Sequence, residues 1–228
     1  MTAVSDLFER VMASKNGSND YAIFGADGAL WKNDVVEAVL ARMAKDYPHE
    51  YRSDLGRYRS LVGSGAGRAA YELSARIFQG WTQNDVECIA CKVLCKGIAV
   101  NKNIVLLMRR LRVCRVSIYV VSASPEPIVK AALECCGIAD TVDRVIGVRN
   151  RAIRGVLSGL LEHPIPVYEE KVMCVRKFIH PTVPPLLVVG DGANDEKLLR
   201  MGIHRAVVNR GSAFTKKARK LGWAILEP

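Results

Sequence analysis

The sequence predicts an α/β fold, a mainly parallel sheet covered by helices on both faces, with a helical insertion near its start. Three observations carry this. Short apolar runs such as Tyr21-Ala22-Ile23-Phe24 and Leu186-Leu187-Val188-Val189 end in turn residues and lead into helical patterns. Strand and helix then alternate through the second half of the chain. Between residues 33 and 112 no β-like run occurs. The expected division is therefore a first core segment at 1–32, a helical insertion at 33–112 and the remaining core at 113–228.

Residues 4–14 read as a helix with Val4, Leu7, Phe8 and Val11 on one face, broken by Asn16-Gly17-Ser18-Asn19-Asp20. The strand at 21–24 ends in the turn Gly25-Ala26-Asp27-Gly28. In the insertion, Val35, Val36, Val39, Leu40 and Met43 line one helical face, and a polar loop with Pro48 is expected after it. Residues 66–78 are alanine-rich and helical. Thr82 caps a helix from Gln83 to about Lys96, and Asn101 caps another that ends near Arg112. Val116 to Val121 is a β-branched strand, and a helix from Pro125 to Cys136 follows, closed by Gly137. Further strands are expected at 144–148, 153–157, 186–189, 204–208 and 223–226. Helices are expected at 167–179, from 190–195 through about Met201, and at 213–221.

The chain has 228 residues, half of them apolar, which suffices for one sizeable core and a small insertion. No stretch approaches the roughly 18 apolar residues of a membrane span. The amino terminus has neither the basic start nor the apolar run of a signal peptide. A cytoplasmic protein without membrane contact is expected. Net charge is +10, but the basic residues are dispersed and no aromatic-interleaved stripe accompanies them, which argues against nucleic-acid binding. Seven cysteines show no secreted disulfide framework. Cys88, Cys91 and Cys95 fall on one helical face; three thiols there could bind a metal or form a redox pair, but the helical spacing reads first as a packed face. Cys135-Cys136 reads likewise, because vicinal bridging strains the backbone.

Ligands in such sheets sit beyond the carboxyl ends of the strands. Polar groups fall in four candidate loops there: 25–31, 122–124, around Lys171, and 190–195. Asp191 and Asp195 offer hard oxygen ligands of the kind Mg²⁺ takes, or alternatively cap a helix start. Ser122 and Ser124 are turn or cap hydroxyls that equally suit a phosphate at a helix start. Lys171 follows Glu169-Glu170, so a solvated ion pair competes with a role as an anion-binding amine. Asp27 is either a turn-stabilising carboxylate or a site acid.

In this order the pieces resemble the haloacid dehalogenase superfamily, over nearly the whole chain. Phe24 to Trp31 resembles the opening loop of the branch that includes phosphoserine phosphatase and phosphorylcholine phosphatase-like proteins. Val120-Val121-Ser122-Ala123-Ser124 resembles the second motif, Lys171 the family lysine, and Gly190 to Asp195 the fourth motif. The resemblance implies a three-layer Rossmann-like core with a C1-type helical cap, Mg²⁺ as cofactor and a phospho-aspartyl intermediate. It further implies Asp27, Ser122, Lys171 and Asp191 as catalytic residues. Ser122, Ala123, Lys171 and Asn194 would bind phosphate; Asp191, Asp195 and the Asp27 main-chain carbonyl would hold metal.

The chain departs from the pattern where the attacking aspartate belongs, because Gly25 stands there. Ala26 and Ala29 replace the Asn and Thr often found nearby. A glycine forms no phospho-enzyme and bridges to no metal, so Mg²⁺ is expected to bind weakly or not at all. Loss of an essential nucleophile costs on the order of 10⁶ in rate. The first expectation is a phosphatase-like protein that binds a small phosphorylated metabolite, phosphate or a protein partner with little or no turnover. The alternatives are a non-phosphatase enzyme using Asp27 as acid and base, or an inactivated form of a Mg²⁺-dependent small-molecule phosphatase. Arg57, Arg59, Arg68 and Tyr71 are candidate cap residues facing the site.

Overall fold

The computed structural model describes residues 3–17 and 19–228. Ser18, within the expected break at 16–20, lies outside the described residues, as do Met1 and Thr2. After helix α1 (Ala3–Ala13), strand β1 (Tyr21–Phe24) enters the centre of the sheet. Five helices separate it from β2: α2 (Val35–Asp46), α3 (Pro48–Gly63), α4 (Gly67–Arg76), α5 (Gln83–Leu94) and α6 (Lys102–Val113). Next come β2 (Ser117–Pro125), α7 (Glu126–Cys135), β3 (Arg144–Val148), β4 (Asn150–Ile153), β5 (Val156–Leu161) and α8 (Glu170–Phe178). The chain closes with β6 (Leu187–Gly190), α9 (Glu196–Leu199), β7 (His204–Val208), α10 (Ala213–Lys220) and β8 (Ala224–Leu226).

Six strands form one sheet in the order β3-β2-β1-β6-β7-β8, every pairing parallel. Strand β1 is buried at every position because the sheet is covered on both sides. Ala22 and Phe24 pack with α1, α6 and α7, whereas Tyr21 and Ile23 pack with α8, α9 and α10. The chain winds outward from β1 in one direction and from β6 in the other. The seam between those two strands is thus the switch point where open α/β sheets bind ligands.

Three expectations need correction. Pro48 does not sit in a loop; it opens α3, where its fixed φ and missing N–H cost nothing. The strand expected at 153–157 is instead a turn flanked by antiparallel strands β4 and β5, outside the main sheet. Arg154 (φ 53°) and Gly155 (φ 82°) form this tight hairpin turn. Finally, Cys95 and Cys135 are disulfide-bonded, joining α5 to α7, rather than being packed thiols. They are 40 residues apart, and their spacing along either helix carries no sign of the partner on the other.

Candidate functional site

The loops after β1 and β6 meet because their strands are hydrogen-bonded neighbours, and the Gly25 N–H donates to the Val189 carbonyl at 2.8 Å. Strand β2 pairs with β1 on the other side and delivers Ser122, Ala123 and Ser124 at its end. Helix α8 brings Lys171 in its first turn. Together these elements enclose a cavity of about 210 Å³, lined by Gly25, Asp27, Ser122, Ala123, Lys171, Asp191, Asn194 and Asp195. Every core residue named from the sequence for catalysis, phosphate or metal therefore lines one recess. A larger recess of about 660 Å³ lies between α2, α3 and α5, beside Tyr47 and Trp81, and contains none of these residues.

Asp27 is held on all sides. Trp31 Nε1 and the Val35 N–H donate to its Oδ1 at 2.7 and 3.2 Å, and Ser124 Oγ donates to its Oδ2 at 2.6 Å. Burial, then the nearby Asp34 charge, pushes the Asp27 pKa up to about 6, against the pull of those three hydrogen bonds. Ser122 Oγ accepts from the Ser124 N–H at 3.1 Å, so the two serines fold the end of β2 towards the site.

Lys171 does not pair with Glu169 or Glu170. Its Nζ donates to Asp195 Oδ1 at 2.5 Å, and both side chains are buried. Asp195 Oδ2 accepts from the Asp191 N–H at 3.2 Å. An ideal Cβ on Gly25 would lie 3.3 Å from that same Oδ2, so the Asp195 carboxylate borders the space a residue 25 side chain would take. Asn194 Oδ1 accepts from the Tyr168 N–H at 2.7 Å, tying the 190–195 loop to the approach of α8.

The Asp191 carboxylate accepts no protein hydrogen bond among the described residues. It rests against Gly28 (φ 77°), where a Cβ would come within 1.8 Å of its Oδ2. Burial and the Asp195 charge push the Asp191 pKa up to about 7, countered by Lys171 and Arg210. A half-buried carboxylate that accepts no protein hydrogen bond suits a cation. Mg²⁺ takes one or two carboxylates and completes its shell with phosphate oxygens and water. Asp191 fits that sparse set, while Asp195, also named as a ligand, already has both oxygens engaged.

The cap candidates fare unevenly. Tyr71 lines the cavity. Arg59 instead pairs with Glu37 at 2.8 Å, Arg68 pairs with Glu72 and Glu170, and Arg57 is exposed. Sequence reasoning missed Arg210, Lys32 and Asp34, which also line the cavity. Arg210 was findable: it follows β7, whose carboxyl end opens on the same edge of the sheet.

The chain belongs to the haloacid dehalogenase-like hydrolase family, whose model matches residues 22–200. No curated protein matches it. Among solved structures it is similar to a protein of unknown function from Bordetella pertussis Tohama I, at 16% identity and TM-score 0.76, covering 91% of this chain and 97% of that one. A phosphoserine phosphohydrolase-like protein from Francisella tularensis aligns at 15% identity and TM-score 0.61, covering 91% and 94%. A substrate-bound phosphoserine phosphatase aligns at 18% identity and TM-score 0.58, covering 86% and 87%. At these identities the likeness is one of fold. Among the described residues, no helix is long and apolar enough to cross a membrane.

Proposed function

We propose that this chain binds a small phosphorylated molecule, or phosphate itself, in the cavity at the β1–β6 seam and does not turn it over through a phospho-aspartyl enzyme. The observation that carries the reading is Gly25, which borders the cavity with no side chain to attack phosphorus. Asp27 does not stand in for it, because three donors already occupy its oxygens. The anion-binding half of the site is present: Lys171, Arg210 and the Ser122 hydroxyl line the recess. A volume of about 210 Å³ suits a small ligand better than the protein partner that the sequence also allows. Two of the similar structures carry phosphatase names, one of them a substrate-bound phosphoserine phosphatase, which supports a phosphorylated ligand.

Mg²⁺ would be held by Asp191 and the Asp27 main-chain carbonyl, and when bound it would neutralise phosphate charge. Lys171 contributes its cation from a buried pair with Asp195, so its amine is fixed in place before a ligand arrives. Arg210, anchored by donation to the Lys32 carbonyl at 3.3 Å, adds a second positive group from the far side of the loop.

A second reading is favoured by one observation. With its pKa pushed up to about 6, Asp27 is suited to moving a proton near neutral pH in a reaction without a covalent intermediate. The readings separate in one set of measurements. Inorganic phosphate titrated calorimetrically into the wild-type chain with Mg²⁺ is expected to bind, and Arg210→Ala to weaken it by about tenfold, the equivalent of roughly 1.5 kcal/mol for one charged hydrogen bond. An aryl phosphate is expected to show no turnover until Gly25→Asp is introduced. Wild-type aryl phosphate turnover abolished by Asp27→Asn would overturn the binding reading in favour of an active phosphatase, and failure of phosphate to bind would also overturn it, leaving the acid–base reading to a substrate without phosphate.

A further inference from the structure

A second cluster of chemically capable side chains lies away from the phosphate cavity. Cys91 on α5 and Cys95, the residue that caps its C-terminus, stand one helical turn apart, and Cys135 closes α7, which packs directly against α5. The three Sγ atoms lie within 4.8 Å of one another. Cys95 and Cys135 are bonded, and Cys91 is a free thiol beside them.

We propose that, once the Cys95–Cys135 bond is reduced, Cys91, Cys95 and Cys135 form a three-sulfur site for a soft d¹⁰ cation, best matched by copper(I), that clasps α5 to α7. Metal–sulfur bonds of about 2.3 Å place the sulfurs of a trigonal site about 4 Å apart. Opening the disulfide lets the three atoms settle at that spacing without moving either helix. Thiolate sulfur selects copper(I) and zinc over hard cations. Zinc prefers four ligands, and no fourth Cys, His, Asp or Glu joins the cluster among the described residues. A three-coordinate ion is therefore the better match.

The surroundings supply rigidity and access. Ala90 and Leu94 of α5 and Ala131 and Ala132 of α7 are buried, which holds the helices in register before metal arrives. A recess of about 470 Å³ reaches Cys91 and is lined by Glu87 and Glu134, whose carboxylates favour an approaching cation. Cys95 is exposed to solvent.

The balance is simple. An external dithiol supplies two electrons and two protons to the Cys95–Cys135 bond and itself becomes a disulfide. Copper(I) then replaces the thiol protons, which pass to water as copper–sulfur bonds form, and the copper does not change oxidation state. The disulfide and the metal site exclude each other because they use the same two sulfurs.

The test is an anaerobic competition between the dithiol-reduced, desalted full chain and a chromophoric copper(I) chelator, with circular dichroism confirming the fold. The wild-type chain is expected to remove one equivalent from the chelator, and the oxidised chain none. Losing a second-shell partner typically costs 10–100-fold in metal affinity, so losing a direct ligand in Cys91→Ser should weaken binding by at least about 100-fold. Cys114→Ser, outside the cluster, should leave it unchanged. Cys91→Ala serves in the same role if the serine variant fails to fold. Copper left on the chelator by the folded, reduced wild type overturns the proposal. So does undiminished binding by a folded Cys91 variant, or an equal loss in Cys114→Ser.

Discussion

The Asp191–Asp195–Lys171 group shows how one lysine divides its charge unequally between two neighbouring carboxylates. One buried lysine is shared by carboxylates that lie against each other, and Asp195 takes the direct bond. Asp191 is left to meet burial and a like charge at once, and its pKa rises to about 7. Asp27, at about 6, shifts the same way. Both native values exceed the ordinary carboxylate value, so between about pH 4 and 7 the native state binds more protons than the unfolded chain. The contribution of these two groups to stability then falls as pH rises through that window. In a chelator-containing buffer, Asp191→Asn is expected to stabilise the protein by on the order of 2 kcal/mol at pH 8 and by little at pH 4. Urea unfolding at the two pH values checks this, and an equal effect at both would refute the electrostatic account.

Among the elements, α5 shows local coding at its clearest. Thr82 accepts from the Asp85 N–H at 3.1 Å while the Asp85 carboxylate accepts from the Thr82 N–H at 3.0 Å, a complete capping box. Thr82→Ala should cost about 1 kcal/mol in urea unfolding. Arg68→Ala, which breaks half-exposed ion pairs to Glu72 and Glu170, should cost less than that. Sequence signals succeeded where the chemistry is local in this way: Asn101 does cap α6, accepting from the Ile104 N–H at 3.4 Å, and Gly137 (φ 63°) does end α7. They failed at Pro48, which marks a loop or a first turn equally well until the next turn of backbone closes. The β4–β5 hairpin was missed for a related reason. Burial alternates along β5, with Leu157 and Leu161 buried and Val156 and Leu160 exposed, but both faces carry apolar residues, so the sequence shows no apolar–polar alternation.

The molecule as a whole is organised around the β1–β6 seam, with the disulfide as its longest covalent tie. Helix α6, although it lies within the expected insertion, packs against α1 and β2 on the sheet, so the domain division at 33 and 112 stays a proposal. The Cys95–Cys135 bridge closes a loop of 40 residues in separation. By loop-closure entropy, Cys95→Ser should cost about 4 kcal/mol. A urea midpoint for the oxidised variant that matches the oxidised wild type would show that the bridge adds nothing.

Order along the chain was enough to identify strands, helices and four polar loops, because apolar periodicity, caps and turn residues act between near neighbours. The family resemblance it carries implies that Gly25 stands where the attacking aspartate belongs. Folding in three dimensions supplied what depends on distant partners: the pairing of Lys171 with Asp195, the engagement of Asp27 by Trp31 and Ser124, the arrival of Arg210, and the union of Cys95 with Cys135. Each of these joins residues from separate elements or adjacent turns of one loop. Their meeting is set by sheet order and helix packing, for which no single stretch of sequence carries the code.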